Sequence, residues 1–450
     1  MSEHWLVVGG GFRGIIGAYL LASKGKKVTL VEAGKFLGGV LSSVPWKDFY
    51  LDKGCNLFAN DDDLTTSIVM EILGEDVEPM TVRYASIVNG QKTDGMAIPD
   101  LGSYGPDAVK NMLYEVLQAA TEDESVCASL QDVFQTRYGK TAAQYLASAT
   151  SKVYRTKPDA LSADALKMTL FPRIKFLEDD LGKILKLHPK LDWRIAVSSQ
   201  HDPMMFYRDQ ATEFPHRNFY PKHRGLRQFC ENAAQKLSEL GVNILLECPA
   251  KQLDLDQKHI HLNLENGDTL SADRLLWTAD ITLFETLTGL PQKLDQFIHR
   301  VPMVLYYFII RKAQEGPYTY VHHFDEASLW FRSSTPGGYV EAAACPPGQS
   351  YVCCEATTEV GSELWENPEP FADIIWQELM QHNIVKGEKP LDLLQVKVSS
   401  TYKLPKLGYW ETVENVVASA EQDQRIVGVS QWEFSKNSIT RALHETLEAI

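Results

Sequence analysis

The sequence predicts an α/β protein with an α+β portion inserted into it. Three observations predict this. The run from Trp5 to Ser43, WLVVGGGFRGIIGAYLLASKGKKVTLVEAGKFLGGVLSS, passes from apolar strand to glycine-rich turn, helix and strand. Far downstream, Arg227 to Leu240 has helix-forming content and is followed by short strand-like runs. Between these blocks lie long segments, the first helical in pattern and the second strand-rich.

Trp5 to Val8 is a short apolar run and is expected to be a buried strand. Gly9, Gly11 and Gly14 then form GxGxxG, with Phe12 and Arg13 in the variable positions. Ile15 to Lys24 has helical content, and Gly25 sits where a helix ends. KVTLVE is a second strand that closes on Glu32, roughly twenty residues past the motif, as a Rossmann-like unit requires. Gly9 permits the tight turn. Gly11 admits a pyrophosphate close to the backbone, and Gly14 lets helix and strand approach. The helix N-terminus offers amides to phosphate, and Glu32 is expected to accept from ribose hydroxyls. A carboxylate there repels a 2′-phosphate, which disfavours NADP and leaves FAD and NAD.

Composition narrows the partners. The chain has 450 residues, 44 basic and 59 acidic side chains, and a net charge of −15. That balance argues against nucleic acid and against docking on anionic lipid. Seven cysteines show no CxxC and no repeated spacing, so no metal or disulfide framework is expected and a reducing compartment fits. No signal peptide is visible, and the longest apolar run, VPMVLYYFII, is too short to cross a membrane as a helix. It is expected to be a buried strand. The cytoplasm is the expected location, with a small-molecule partner; a homodimer is left open.

Gly38-Gly39 decides between the two cofactors. EAGKFLGGVLSS resembles the second glycine signature of the FAD-dependent amine oxidase superfamily, whose members include protoporphyrinogen oxidase, monoamine oxidase, phytoene desaturase and UDP-galactopyranose mutase. The resemblance implies FAD, with Ala33, Gly38, Gly39, Val40 and Leu41 among its contacts, and it is expected to be bound non-covalently because the C-terminal segment QRIVGVSQWEFSKNSITRALHETLEAI holds no cysteine. The family's basic residue after the doublet is Val40 here. YLDKGCNLF resembles the element beside the flavin ring through Asp52, Gly54 and Phe58. FYPKHRGLRQF resembles the tyrosine-proline-glycine turn before a helix. Ala250 falls where the family's backbone meets adenine. Thr278 and Ala279 fall at a turn near the pyrophosphate, where a proline is missing and Asp280 adds a charge. At the end, Ile439, Ala442, Leu443, Thr446, Leu447 and Ile450 mark one apolar helical face, and Asn437 or Ser438 can cap its start. The resemblance places that start at the flavin's pyrimidine edge.

Residues 1–85, 215–290 and 405–450 are expected to form the FAD-binding domain, Rossmann-like and discontinuous. Residues 86–214 and 291–404 are expected to form a mixed-sheet substrate domain with a helical insertion over 104–200. Helices are predicted in DAVKNMLYEVLQAATE, TAAQYLASATSKVY and SADALKMTLFPRIKFLEDDLGKIL. Strands are predicted in VPMVLYYFIIR, GYVEAAAC, SYVCCEATT and LLQVKVSS. His223, Arg224 and Tyr306 are the substrate candidates, although core packing is the stronger expectation for Tyr306 and Tyr307. Asn56 and Trp432 are candidates near the flavin, with catalytic residues otherwise unassigned. His259 and His261 share a strand face without an acid at ligand spacing; they and His322-His323 are expected to be solvated strand pairs. Asp61-Asp62-Asp63 is expected at a helix N-terminus.

Three classes of function compete. The leading one is an FAD-dependent oxidoreductase, in which hydride leaves a substrate carbon for flavin N5. A redox-neutral mutase on a sugar nucleotide is weakened by Asn56 and Phe434, where the mutases carry a histidine and an arginine. A non-catalytic member, as among the Rab GDP-dissociation inhibitors, conflicts with the intact doublet and Glu32.

Overall fold

The computed structural model describes residues 3–80, 82–198, 218–290, 293–340, 345–429, 433 and 435–450. Trp432, Phe434 and half of GYVEAAAC (residues 341–344) lie outside the described residues. The chain divides into two compact units. The first takes the residues up to Pro79, Asn218–Gln296 and Tyr409–Ile450; the second takes Met80–Arg217 and Phe297–Gly408.

The first unit is built on a five-stranded parallel sheet. Its order is Asn243–Leu245, Lys27–Val31, His4–Val8, Arg274–Trp277, Ile426–Val427. Leu6, Val8, Val31, Leu275 and Trp277 are buried, as parallel strands between covering layers must be. The helix after the glycine turn is Phe12–Ser23, and Gly25, at φ +73°, takes the left-handed position beyond its end. Downstream, Leu226–Glu239 is helical, and three antiparallel strands follow at Ala250–Leu255, Ile260–Leu264 and Thr269–Ala272. Asn266-Gly267 makes the second hairpin turn, with Gly267 at φ +93°. The next strand, Arg274–Trp277, returns to the parallel sheet beside His4–Val8.

The second unit carries a seven-stranded mixed sheet. Its order is Asp392–Pro405, Ile298–Arg311, Gln349–Thr357, Arg332–Ser334, Tyr320–His323, Tyr84–Val88, Gln91–Asp94. Only the Tyr320–His323 and Tyr84–Val88 pair is parallel. That pairing gives the second unit residues 80–85, which the sequence pattern left with the first. VPMVLYYFII lies within the fourteen-residue strand Ile298–Arg311. Val304, Tyr306, Phe308 and Ile310 pack on one face with Trp376 and Leu379 of a helix, while Leu305, Tyr307 and Ile309 are buried on the other. Burial on both faces explains why the run carries no alternation.

The insertion contains helices at Pro106–Ala119, Leu130–Tyr138, Lys140–Tyr154 and Asp179–Lys186. The long helix predicted from Ser162 to Leu185 does not form. A short 3-10 turn ends at Met168, Pro172 follows, and Ile174 pairs instead with Ile195 as a bridge. Proline removes a backbone donor and blocks the turn before it, so the segment pairs outward.

The histidines correct a second expectation. His322 and His323 are buried, with His322 Nδ1 bonded to the Ala97 carbonyl. Burial holds the His322 imidazole down at about 3, so it stays neutral. His259 and His261 do find acids: Nδ1 of His259 lies 3.3 Å from Asp273, and Nε2 of His261 lies 2.8 Å from Asp256. Asp256 sits in the turn between two strands, which helical or strand spacing does not reveal. Among the described residues no cluster of three metal-ligating side chains occurs, and no helix is long and apolar enough to cross a membrane.

Candidate functional site: a glycine-lined nucleotide cradle

The site lies in the first unit, where the turn after the first strand meets the doublet. Gly38 N–H donates to the Gly10 carbonyl at 2.7 Å, and Gly11 pairs with Gly38 as a bridge. Gly38 and Gly39 have φ of +112° and +57°, a region side chains disfavour. A Cβ on Gly38 would fall 2.2 Å from Sγ of Cys230, so the doublet also packs on the helix behind it.

The three motif glycines serve different ends. Gly9 has φ +104°, and a Cβ there would meet the backbone of Ala279 at 2.9 Å. A Cβ on Gly14 would fall 1.8 Å from the Gly9 carbonyl oxygen. Both are required by the protein itself. Gly11 is different. Its φ of −69° and ψ of −176° suit any residue, and a Cβ would meet nothing within 4 Å. Among the described residues nothing demands glycine at 11, so the open space before it fits a bound group that needs close approach to the backbone. Gly10 and Gly17 are packing glycines, against Leu37 and Leu276.

Side chains fix this cradle from three directions. Glu32 accepts from Gly10 N–H at 2.7 Å with one oxygen and from Gly34 N–H at 2.6 Å with the other. It therefore staples the glycine turn to the loop leading into the doublet; each oxygen keeps further acceptor capacity. Thr278 Oγ1 is 2.8 Å from the carbonyls of both Val8 and Gly9 and holds the turn from the neighbouring strand. Asp280 points elsewhere and caps the helix Ile281–Leu287 by accepting from Thr282 N–H at 2.9 Å. Phe12 is buried against Phe229, and Arg13 pairs with Glu433 at 3.2 Å in the C-terminal loop. Leu41 is buried, Val40 and Ala33 are exposed, and Ala250 opens its strand half-exposed.

Asp52 joins two motifs that the sequence shows separately. It is buried, and it accepts from Ser43 Oγ at 2.6 Å, from Leu226 N–H at 3.1 Å and from the Tyr220 hydroxyl. Ser43 in turn accepts from Arg227 N–H at 3.0 Å. Two N-terminal amides of the Leu226–Glu239 helix are thus tied to the strand after the doublet. Burial pushes the Asp52 carboxyl up to about 6, although these hydrogen bonds pull the other way. Near this junction, Arg227 Nη1 is buried and has no hydrogen-bond partner among the described residues, and the guanidinium covers the Phe36 ring at 3.5 Å. The same guanidinium pairs through Nε with Glu231 at 2.8 Å, so its charge is already met.

The last helix, Lys436–Glu448, is capped by Ser435, whose Oγ accepts from Ser438 N–H at 3.1 Å. Neither Asn437 nor Ser438 is the cap, because the helix starts earlier than its apolar face suggests. Asn437 instead donates to Asp61, and Arg441 pairs with Asp62. Asp62 caps the helix Asp63–Leu73, as the acidic cluster predicted. Lys436 lies 5.5 Å from the Phe58 ring, and burial pushes its ammonium down to about 8. Asn56 donates to the Lys53 carbonyl at 3.2 Å. His223 is exposed; Arg224 pairs with Glu231 at 2.7 Å. In the second unit, Tyr306 belongs to the core and donates to the Pro368 carbonyl at 2.8 Å, so core packing is its role. The clamp role of Asp52, a residue the sequence only placed beside the flavin ring, and Lys436 as a half-buried cation are what sequence reasoning missed.

The family model for flavin containing amine oxidoreductases matches residues 14–353. The chain belongs to this family. With the flavin containing amine oxidoreductases comes a flavin cofactor, and the open space at Gly11 and the doublet fit the nucleotide part of one. A 4,4'-diapophytoene desaturase (4,4'-diaponeurosporene-forming) of Staphylococcus aureus (strain bovine RF122 / ET3-1) is 26% identical over 288 residues, 61% of this chain and 54% of the relative. The match thus spans about half the length of that relative. Among solved structures, a reduced UDP-galactopyranose mutase aligns with a TM-score of 0.75 at 14% identity, covering 100% of this chain and 95% of the other. Wild-type putrescine oxidase bound to putrescine aligns at 0.64 with 13% identity, over 100% and 99%. These two show the fold.

Proposed function

We propose that this protein is an oxidoreductase that binds FAD non-covalently and oxidises a small organic substrate. The observation that carries the reading is Gly11: an unstrained glycine facing open space, bridged to a second glycine pair, inside a chain of the flavin containing amine oxidoreductases. Gly9, Gly11 and Gly14 with the helix start at Phe12 would hold the phosphates, and Glu32 the ribose. Gly38 and Gly39 would take the second close approach, and Thr278 would keep the turn in place.

When bound, the flavin accepts a hydride from a substrate carbon. The protein's part is orientation and field. Ser435 and the helix it caps direct a partial positive charge out of the N-terminus, and Lys436 adds a cation there; a flavin held at this helix start would be stabilised in its electron-rich form. The Asp52, Ser43 and Tyr220 network holds the doublet's strand against the helix Leu226–Glu239. The desaturase match makes a C–H bond of an unsaturated hydrocarbon one substrate class to try, and the oxidase fold makes an amine another.

The test is anaerobic. Purified protein loaded with FAD is mixed with polyene precursors and with amines while its visible spectrum is followed. Bleaching by a substrate, reversed by an oxidant, is the expected result. Turnover that needs prior dithionite reduction and leaves the flavin spectrum constant would replace this reading with redox-neutral catalysis.

A further inference from the structure

Position 40 leaves a question of charge. The residue after the doublet is Val40, which is 66% exposed and brings no cation to the cradle. A pyrophosphate needs fixed donors, and charge-assisted ones are the strongest. A second residue reaches the doublet from elsewhere in the chain. Lys53 follows the buried clamp Asp52, and its Nζ lies 3.3 Å from the Gly39 carbonyl and 3.0 Å from Ser42 Oγ. Gly39 in turn abuts Gly11: a Cβ on Gly39 would lie 3.4 Å from the Gly11 Cα. Lys53 is thereby anchored within one residue of the open space.

Its company is unusual. Lys53 is partly buried, and no carboxylate pairs with it among the described residues, in a chain whose acids outnumber its bases by 59 to 44. Its two anchors are a carbonyl and a hydroxyl. An ammonium carries three donors, so one N–H is left over. Burial holds the group below the ordinary lysine range, the mark of a cation short of a counter-charge.

We propose that Lys53 is the cation that positions the cofactor's pyrophosphate, taking the place left vacant by Val40. This rests on the FAD reading above. The clamp explains how a lysine in the bend after the strand Phe49–Leu51 can serve. Asp52 is fixed by Ser43, Leu226 and Tyr220, so the backbone at 53 is held and only the flexible stem must be ordered.

The experiment measures the affinity of the apoprotein for FAD and for riboflavin, which lacks phosphate, by flavin fluorescence. Wild type, Lys53→Met, Lys53→Gln and Lys53→Arg are compared, together with Val40→Arg in the Lys53→Met background; thermal melts of each apoprotein check folding. Both neutral variants are expected to weaken FAD about tenfold or more, the scale of one charge-assisted hydrogen bond, with riboflavin affinity unchanged. Lys53→Arg should keep most of the affinity, and Val40→Arg should recover much of what Lys53→Met loses. FAD affinity unchanged in both neutral variants would overturn the proposal. So would equal losses for FAD and riboflavin, which would make Lys53 a structural residue. Wild type that takes up no FAD would overturn the underlying reading instead, and that outcome is distinct from the other two.

Discussion

Gly11 and Gly14 stand three residues apart and make opposite demands on their surroundings. At 14 a methyl group would collide with the Gly9 carbonyl at 1.8 Å; at 11 it would enter free space. Gly14→Ala must therefore shift backbone, at a cost of about 1–3 kcal/mol or more to the apoprotein. Gly11→Ala should leave apoprotein stability within about 0.5 kcal/mol and still weaken FAD binding at least tenfold. Denaturant melts of the apoprotein together with FAD titration separate the two. A large stability loss in Gly11→Ala would mean the glycine serves the fold. Glu32→Ala is a less clean probe, since it also orphans the amides of Gly10 and Gly34. Asp52 gives a pH signature. Its folded value, about 6, lies above its ordinary value of 3.8. The folded state therefore holds this proton more tightly. Stability from this group is fully present below about pH 4 and declines as pH rises through 6, by on the order of 2–3 kcal/mol. Denaturant melts across that window should show a smaller decline for Asp52→Asn than for wild type. Parallel curves would contradict the burial penalty assigned to Asp52.

Elements show what a sequence can and cannot express. The glycine turn, its flanking strands and the helix between them were legible because each signal is local: an apolar run, a φ that only glycine takes easily, a helix stop. The Asp52–Tyr220 bond spans 168 residues, and no periodicity carries such a pairing. The same holds for Lys53, whose place at Gly39 depends on the turn between two strands. Helix starts failed for a related reason. The apolar face of the last helix fixes its axis but not its first residue, and the cap proved to be Ser435. Ser435→Ala should lower the melting free energy by about 1 kcal/mol and should reduce FAD affinity as the helix start frays. A thermal melt and an FAD titration check both. No change in either would remove the cap from the account. The insertion's predicted long helix failed because Pro172 outweighs the surrounding helix formers, a conflict visible in the sequence but decided by the bridge to Ile195.

At the scale of the molecule, three separated segments build the unit that carries the proposed nucleotide cradle. Each supplies a necessary part. The first carries the glycines and Glu32, the second carries Thr278 and the clamp on Asp52, and the third carries Lys436 and its capped helix. The second unit has its own sheet and core, closed around Tyr306, Trp330 and Trp376. Family and fold followed from the first segment and the doublet. Substrate did not, because the second unit's sequence is dominated by core demands: a strand buried on both faces carries apolar residues whatever the protein acts upon. The central claim is that the cradle around Gly11 and Gly39 holds FAD. The most direct measurement is the identity of the flavin released when purified, FAD-saturated and extensively washed protein is denatured. About one FAD per chain, released without proteolysis and absent from Gly11→Ala treated in the same way, is the predicted result. Protein that retains no flavin, or that retains FMN in preference to FAD, would contradict it.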